Sequence, residues 1–415
     1  MLKKITTFLL SIGPGIFCIG YTVGTGSVTS MAKSGSQYGS QLLWVLALSC
    51  LFSWALMEAY GRYAVVTGNT AINSFKTSLK FGQPIAILVI VGIVIGQWNS
   101  LSGIVGLSSN AIYEIIRLSF PELSPDNYWA VLGIAIAMLI ILYFMLIIGK
   151  YSFFEKILIF FVTLMGLSFL ISMFIVLPPA GEILQGFVPS IPDDQGGNLM
   201  VAAFVGTTMA APTFVVRPLL MQGKSWDKHH VKDQERDALS SAFLMFLISG
   251  AIMITAMGAM YYKGLSINRV IDMVTVLEPV AGKFAVALFM TGALSAGISS
   301  IFPILMVAPL LIADYKDGKL DTRSSRFRVL TAIACVVGLS VPIMGANPII
   351  AQIATQVANV FVLPLVIGGI IYLVNKRDIM KEHKAGMVLN TGLAFAFVFS
   401  CIISYLGFKA LLNFF

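Results

Sequence analysis

A chain of 415 residues that is 58% hydrophobic and 11% charged, with a mean hydropathy of +0.90, is excluded from the ordinary water-soluble globular class. Its formal charge of +8 is no nucleic-acid footprint, because the basic residues fall in short connections between apolar stretches. The partner implied is a lipid bilayer, and no nucleic-acid partner is expected.

Eleven stretches are long and apolar enough to span a membrane as helices. In chain order they are Phe8–Ala32, Gln41–Val65, Pro84–Leu107, Tyr128–Ile148, Phe153–Leu177, Leu199–Met221, Leu239–Tyr261, Phe284–Ala313, Val329–Met344, Ile349–Val374 and Met387–Leu411. A bent extension of the third through Ser108–Arg117 is expected. The first stretch carries Gly20-Tyr21-Thr22-Val23-Gly24-Thr25-Gly26-Ser27 at its centre, three glycines and several hydroxyls where a spanning helix is best served by neither. The sixth carries Gly206-Thr207-Thr208-Met209-Ala210-Ala211-Pro212-Thr213. Lipid tolerates unpaired backbone only where it lines a cavity or is buried in protein, and two interrupted segments in matching places point to a transporter's binding site. No small-residue cleavage site follows the first stretch, so a removable signal peptide is not expected.

Placing Lys3 and Lys4 in the cytoplasm and alternating sides puts Lys76, Lys80, Lys150 and the basic residues of 224–236, 316–328 and 376–384 on the same side. The acidic loop with Glu182, Asp193 and Asp194 then lies outside, as does the C-terminus, in an inner or plasma membrane. Trp44, Tyr128, Trp129 and Tyr261 stand near segment ends, as interfacial anchors do. Stretches one and six cross in opposite directions, which a five-plus-five inverted repeat requires: residues 8–177, then 199–374, with 387–411 as an added helix. Cys18, Cys50, Cys335 and Cys401 all lie inside apolar stretches without pair spacing and are expected to be buried thiols.

Several runs resemble the NRAMP family of metal-ion transporters: Gly13-Pro14-Gly15, Gly20-Tyr21, Gly35-Ser36-Gln37-Tyr38-Gly39, Leu42-Leu43-Trp44-Val45, Val66-Thr67-Gly68, Val205-Gly206 with Gln222, Leu277-Glu278-Pro279, Ala296-Gly297-Ile298-Ser299-Ser300, and Gln356-Val357 before Leu363-Pro364. The resemblance implies an all-α integral membrane protein of LeuT-type fold, with eleven transmembrane helices and helices 1 and 6 broken. It also implies metal ligands that are absent here. The family's Asp-Pro-Gly-Asn matches Val23-Gly24-Thr25-Gly26, and its Met-Pro-His matches Ala210-Ala211-Pro212. Its second histidine matches Arg217, its tenth-segment glutamine matches Val362, and its third-segment acidic residue falls near Gly103.

A divalent cation stripped of water needs charged or soft ligands, and this site has none. His229, His230 and His383 lie in connections. Half-helix N-termini, Gly24 and Gly26, and the guanidinium of Arg217 instead favour a small anion. The expected substrate site is Thr22, Val23, Gly24, Thr25, Gly26 and Ser27 with Thr207, Thr208, Ala210, Pro212, Thr213 and Arg217. By resemblance to LeuT-type sodium symporters, Ser295, Ser299 and Ser300 with carbonyls near Phe17 and Gly20 would hold a coupling Na⁺. No other cofactor is expected.

Plainer readings stand beside these. Arg217 could form an ion pair with Glu58 or Glu114, or snorkel to the surface. The glycines and hydroxyls could serve helix packing. Glu58 is expected to pair with Arg62 rather than to carry protons, and His229–His230 to sit in a solvated, mixed-charge loop. The expectation is a monomeric secondary-active transporter of a small inorganic anion such as bicarbonate, in symport with Na⁺. The alternatives are a divalent metal cation (Mg²⁺ or Mn²⁺) transporter with a hydrated site and a non-transporting membrane sensor on the same scaffold. No hydrolytic or redox constellation is visible, so an enzyme is not expected.

Overall fold

The structure is a computed structural model describing residues 13–414 apart from 121, 125–126, 149–150 and 269. Residues 8–12 of the first expected span thus lie outside the described residues. Ten helices among the described residues are long and apolar enough to cross a bilayer. The first stretch adds an eleventh crossing as two pieces, α1 (Gly15–Thr22) and α2 (Thr25–Tyr38). Then follow α3 (Leu43–Thr67), the short α4 (Ala71–Ser78), α5 (Gly82–Ser119), α6 (Tyr128–Ile148), α7 (Tyr151–Ile175) and the short α8 (Ala180–Gln185). The sixth stretch is also split, into α9 (Gln195–Thr208) and α10 (Ala211–Gly223). The remainder comprises α11 (Val231–Met260), α12 (Val270–Asp317), α13 (Ser325–Gly338), α14 (Ser340–Met344), α15 (Pro348–Asn359), α16 (Leu363–Asn375), α17 (Arg377–Met380) and α18 (Met387–Phe414). The broken helices 1 and 6 of a LeuT-type fold are in place.

Local chemistry explains the boundaries. The third stretch continues past Leu107 through Ser108–Arg117, as expected, in one helix, α5, that runs to Ser119. In α12 the helix is broken at Gly282, whose φ of 77° is natural only for glycine. A 3₁₀ turn, Val360–Val362, separates α15 from α16 where Pro364 withholds a backbone N–H. Asp314 at the end of α12 accepts N–H bonds from Ile72 (3.0 Å) and Asn73 (3.1 Å) and the hydroxyl of Thr70, capping α4 from a distant part of the chain.

Layering follows from burial. The apolar window of α9 and α10 is 100% enclosed by protein, that of α18 only 28%, so the second broken helix is the axis and α18 the rim. Phe395, Val398, Ile402 and Tyr405 of α18 face outward, where lipid takes the place of a protein neighbour. This lipid-facing rim corrects one expectation. Cys18 and Cys50 are buried, but Cys335 is half-buried and Cys401 exposed, because an apolar residue need not be interior in a membrane protein.

The α9–α15 contact depends on a missing side chain. A Cβ at Gly206 would stand 2.7 Å from the carbonyl carbon of Gln356 and collide with its oxygen. Gly250, in α11, has as nearest neighbour Leu46 Cδ2 at 4.0 Å. Gly206→Ala is therefore expected to cost about 1–3 kcal/mol, while Gly250→Ala is neutral or slightly stabilising. Melting midpoints of the two purified variants in detergent check the contrast.

Candidate functional site where the two broken helices meet

At the first break Val23 N–H still donates to Ile19 O (2.9 Å), and Gly24 is extended (φ −68°, ψ −157°). At the second, Met209 N–H donates to Val205 O (2.8 Å), Ala210 is extended (φ −62°, ψ 113°), and Pro212 sits in the first turn of α10, where no N–H is needed. The breaks are joined. Thr207 Oγ1 donates to Thr22 O (3.1 Å), Ser27 Oγ donates to the same carbonyl (2.8 Å), and the two hydroxyls are 3.4 Å apart. Thr22 and Thr213 turn their own hydroxyls to Cys18 O (2.7 Å) and Ala210 O (2.6 Å). Ser53 of α3 donates to Thr208 O (2.9 Å), whereas Thr208 Oγ1 is buried with no hydrogen-bond partner among the described residues. Val23 and Ala210 are buried beside them. The side chain of Thr25 lies outside the described residues.

Arg217 is placed differently from the expectation. It is fully buried, but its Nη2 donates to Asp237 Oδ2 (2.7 Å) and to Gln234 O (3.4 Å). Both oxygens of Asp237 in turn accept the N–H of Gly15 at 3.1 Å, at the start of α1. The guanidinium is thus paired in the interior, with Asp237 rather than Glu58 or Glu114, and does not snorkel. The reason is geometric: α1, α10 and α11 converge there, and a helix N-terminus and an arginine share one carboxylate. Glu58 pairs with Arg62 (2.7 Å), as expected, and accepts Gln234 Nε2 (2.5 Å); Glu114 pairs with Arg117 (2.8 Å).

Ser300 Oγ donates to Gly20 O (2.7 Å) and lies 3.3 Å from Tyr21 O, with Ser299 Oγ 3.4 Å from Gly20 O. Tyr21 O is the second carbonyl within reach of Ser300, and the Phe17 ring stacks on Tyr21 at 6.2 Å. Ser295 is buried on the same helix. His229 and His230 form an exposed turn in which His230 Nδ1 lies 2.8 Å from Asp227 Oδ1. That hydrogen bond and the His229 N–H hold the Asp227 carboxyl below the usual range.

Sequence reasoning missed a row of buried amides. Gln97 and Ser100 of α5 face Gln352, Gln356 and Asn359 of α15. Gln352 Nε2 and Gln356 Nε2 donate to Ser100 Oγ (3.0 and 3.3 Å), Asn359 Nδ2 to Gln356 Oε1 (3.2 Å), and Gln97 Nε2 to Asn359 Oδ1 (3.2 Å). The signal was present: amides at 352, 356 and 359 recur on one helical face inside an apolar stretch, where polar groups are costly. Gly103 abuts Gln352, and Val362 abuts Gly92.

A cavity of about 640 Å³ opens at the far end of α2, lined by Lys33, Tyr38, Tyr261, Asn268 and Ile353 among others. Lys33 Nζ donates to Asn268 Oδ1 (3.0 Å) across it. Ile353, in its lining, is about one helical turn from Gln356 on α15. Among the described residues no group of three or more His, Cys, Asp or Glu could hold a metal ion. Among the described residues the breaks present carbonyls, hydroxyls and amides.

The Arg217–Asp237 pair makes a specific demand. Asp237→Asn leaves a guanidinium buried without its counter-charge, a loss of about 3–5 kcal/mol. Arg217→Met with Asp237→Asn removes both charges and is expected to recover most of that. Melting of the single and double variants in detergent decides it.

The sequence profile of the natural resistance-associated macrophage protein-like family matches residues 15–408. The divalent metal cation transporter MntH of Caldanaerobacter subterraneus subsp. tengcongensis is 22% identical over 92% of this chain and 87% of its own. A crystal structure of an Eremococcus coleocola manganese transporter mutant superposes with a TM-score of 0.72 at 13% identity, covering 97% of this chain and 86% of that one. MhsT in complex with L-phenylalanine gives 0.67 at 17%, covering 96% and 98%. With a profile match across nearly the whole chain and the shared broken-helix fold, the chain belongs to the Nramp family of membrane transporters.

Proposed function

We propose that the chain carries a hard divalent cation, Mg²⁺ or Mn²⁺, by alternating access, with part of the ion's water shell retained. The observation behind this is the pairing of Arg217 with Asp237, which removes the one positive charge that favoured an anion and leaves the breaks lined by neutral oxygens. The hydroxyl oxygens of Ser27 and Thr207, whose protons go to the Thr22 carbonyl, are weak partners for a bare divalent ion. They are good acceptors for its bound waters, which Mg²⁺ gives up reluctantly. Relatives named as divalent metal cation transporters support a cation over bicarbonate.

The proposal includes Na⁺ coupling. Ser299 and Ser300 beside the Gly20 and Tyr21 carbonyls form a neutral oxygen cluster that suits a monovalent ion. It also includes a cytoplasmic N-terminus. The Lys33 cavity then faces outward, and the Gly15–Asp237 tether holds the cytoplasmic half of the first helix closed.

Proteoliposome uptake tests this. Mg²⁺ or Mn²⁺ uptake is expected to saturate and to rise with an inward Na⁺ gradient. Thr207→Val is expected to lower kcat/KM about tenfold, the worth of one buried polar contact. Uptake of bicarbonate, nitrate or formate with no divalent-cation flux overturns the proposal.

A further inference from the structure

We infer that the cavity at the far end of α2 binds a monocarboxylate with an apolar body, held by the ammonium of Lys33 and independent of the ion carried at the breaks. The cavity measures about 640 Å³, within the range of small-molecule sites. Lys33 stands half-buried in its wall. A charge inside an apolar span is costly unless it is paired or used. Among the described residues Lys33 makes no ion pair, and its acceptor is the neutral Asn268 Oδ1 at 3.0 Å. An ammonium carries three N–H donors, so two are left to meet a guest.

The walls set the character of that guest. Leu199 and Met200 of α9 and Ile350 and Ile353 of α15 line the cavity and offer an apolar body a place away from water. The fixed positive charge of Lys33 repels a metal ion and attracts an anion. Two carboxylates limit the anion to a single charge. Asp272 Oδ2 accepts the Asn268 N–H (2.9 Å), and both oxygens of Asp194 accept the hydroxyl of Tyr38 (2.7 and 2.9 Å), itself a lining residue. Their negative charge disfavours a dianion. The polar end is also held in place before any guest arrives. Asn268 O accepts Asn347 Nδ2 (2.8 Å), and the neighbouring Ile267 N–H donates to Ser36 Oγ of α2 (3.3 Å). A guest carboxylate therefore meets donors that are already positioned. A fatty acid drawn from the bilayer and an aryl acid from the water phase share this chemistry.

The test is isothermal titration calorimetry of the full chain in phosphatidylcholine nanodiscs, with empty nanodiscs as the blank. The probes are sodium benzoate and sodium dodecanoate at neutral pH and fixed total Na⁺, with benzamide and dodecanol as their uncharged counterparts. At least one acid is expected to bind, about tenfold or more tighter than its counterpart, the worth of a charged hydrogen bond. Dodecanoate alone assigns the bilayer as the source, and benzoate alone the water phase. Lys33→Met is expected to erase the preference for the acid and Lys33→Arg to keep it. Ile350 is 45% exposed, so Ile350→Trp can fill the cavity with little disturbance elsewhere, and it is expected to weaken acid binding at least tenfold with Lys33 intact. Melting and size-exclusion profiles establish that each variant is folded. If Lys33→Met is not, the acid against its counterpart on the wild type, together with Ile350→Trp, decides. Neither acid binding, no preference over the uncharged counterpart, or full acid affinity in Lys33→Met or Ile350→Trp overturns the inference.

Discussion

Two opposite charges with no exposure to solvent hold the Arg217 end of this transporter together. Asp237 receives the guanidinium of Arg217 on one side and the N–H of Gly15 on the other. A buried pair of this kind adds little net stability over an apolar replacement, yet it is expensive to break from one side only. Its value here is positional. The carboxylate sits at the positive end of the α1 dipole, so the first half of the broken helix is fixed to α10 and α11 at once. Any movement that swings α1 away must leave the ion pair without its third partner.

That fixed end explains the character of the centre. With the guanidinium of Arg217 paired to Asp237, the two breaks present, among the described residues, carbonyls, hydroxyls and amides. Neutral oxygens cannot replace the hydration of a divalent ion, but they can hold the waters of one that stays hydrated. The amides of α5 and α15 lie beside the break, and a separate cavity lined by Lys33 opens at the far end of α2.

Helix number, the positions of the two breaks and the Glu58–Arg62 pair were all legible in the chain, because each depends on residues close in sequence. Hydropathy is summed over a window of about twenty residues, glycine and proline act on their own turn, and an i,i+4 ion pair needs only the helix. The anion expectation leaned on one residue. Arg217 reads as a free charge when only its own helix is considered, and its partner is 20 positions away on the next one. The cysteines misled for a related reason: hydrophobicity marks a membrane residue as hidden from water without saying whether protein or lipid hides it.

The sequence by itself determined that this is a polytopic membrane protein with two interrupted helices, since chain length, apolar content and backbone-breaking residues act locally. Only the tertiary structure decided the chemistry of the site. Gly15 meets Asp237 across 222 residues, Thr207 meets Thr22 across 185, and Gln352 and Gln356 meet Ser100 across 252 and 256. Which polar groups neutralise one another and which remain to face a substrate depends on those long-range meetings, and a linear pattern carries no record of them.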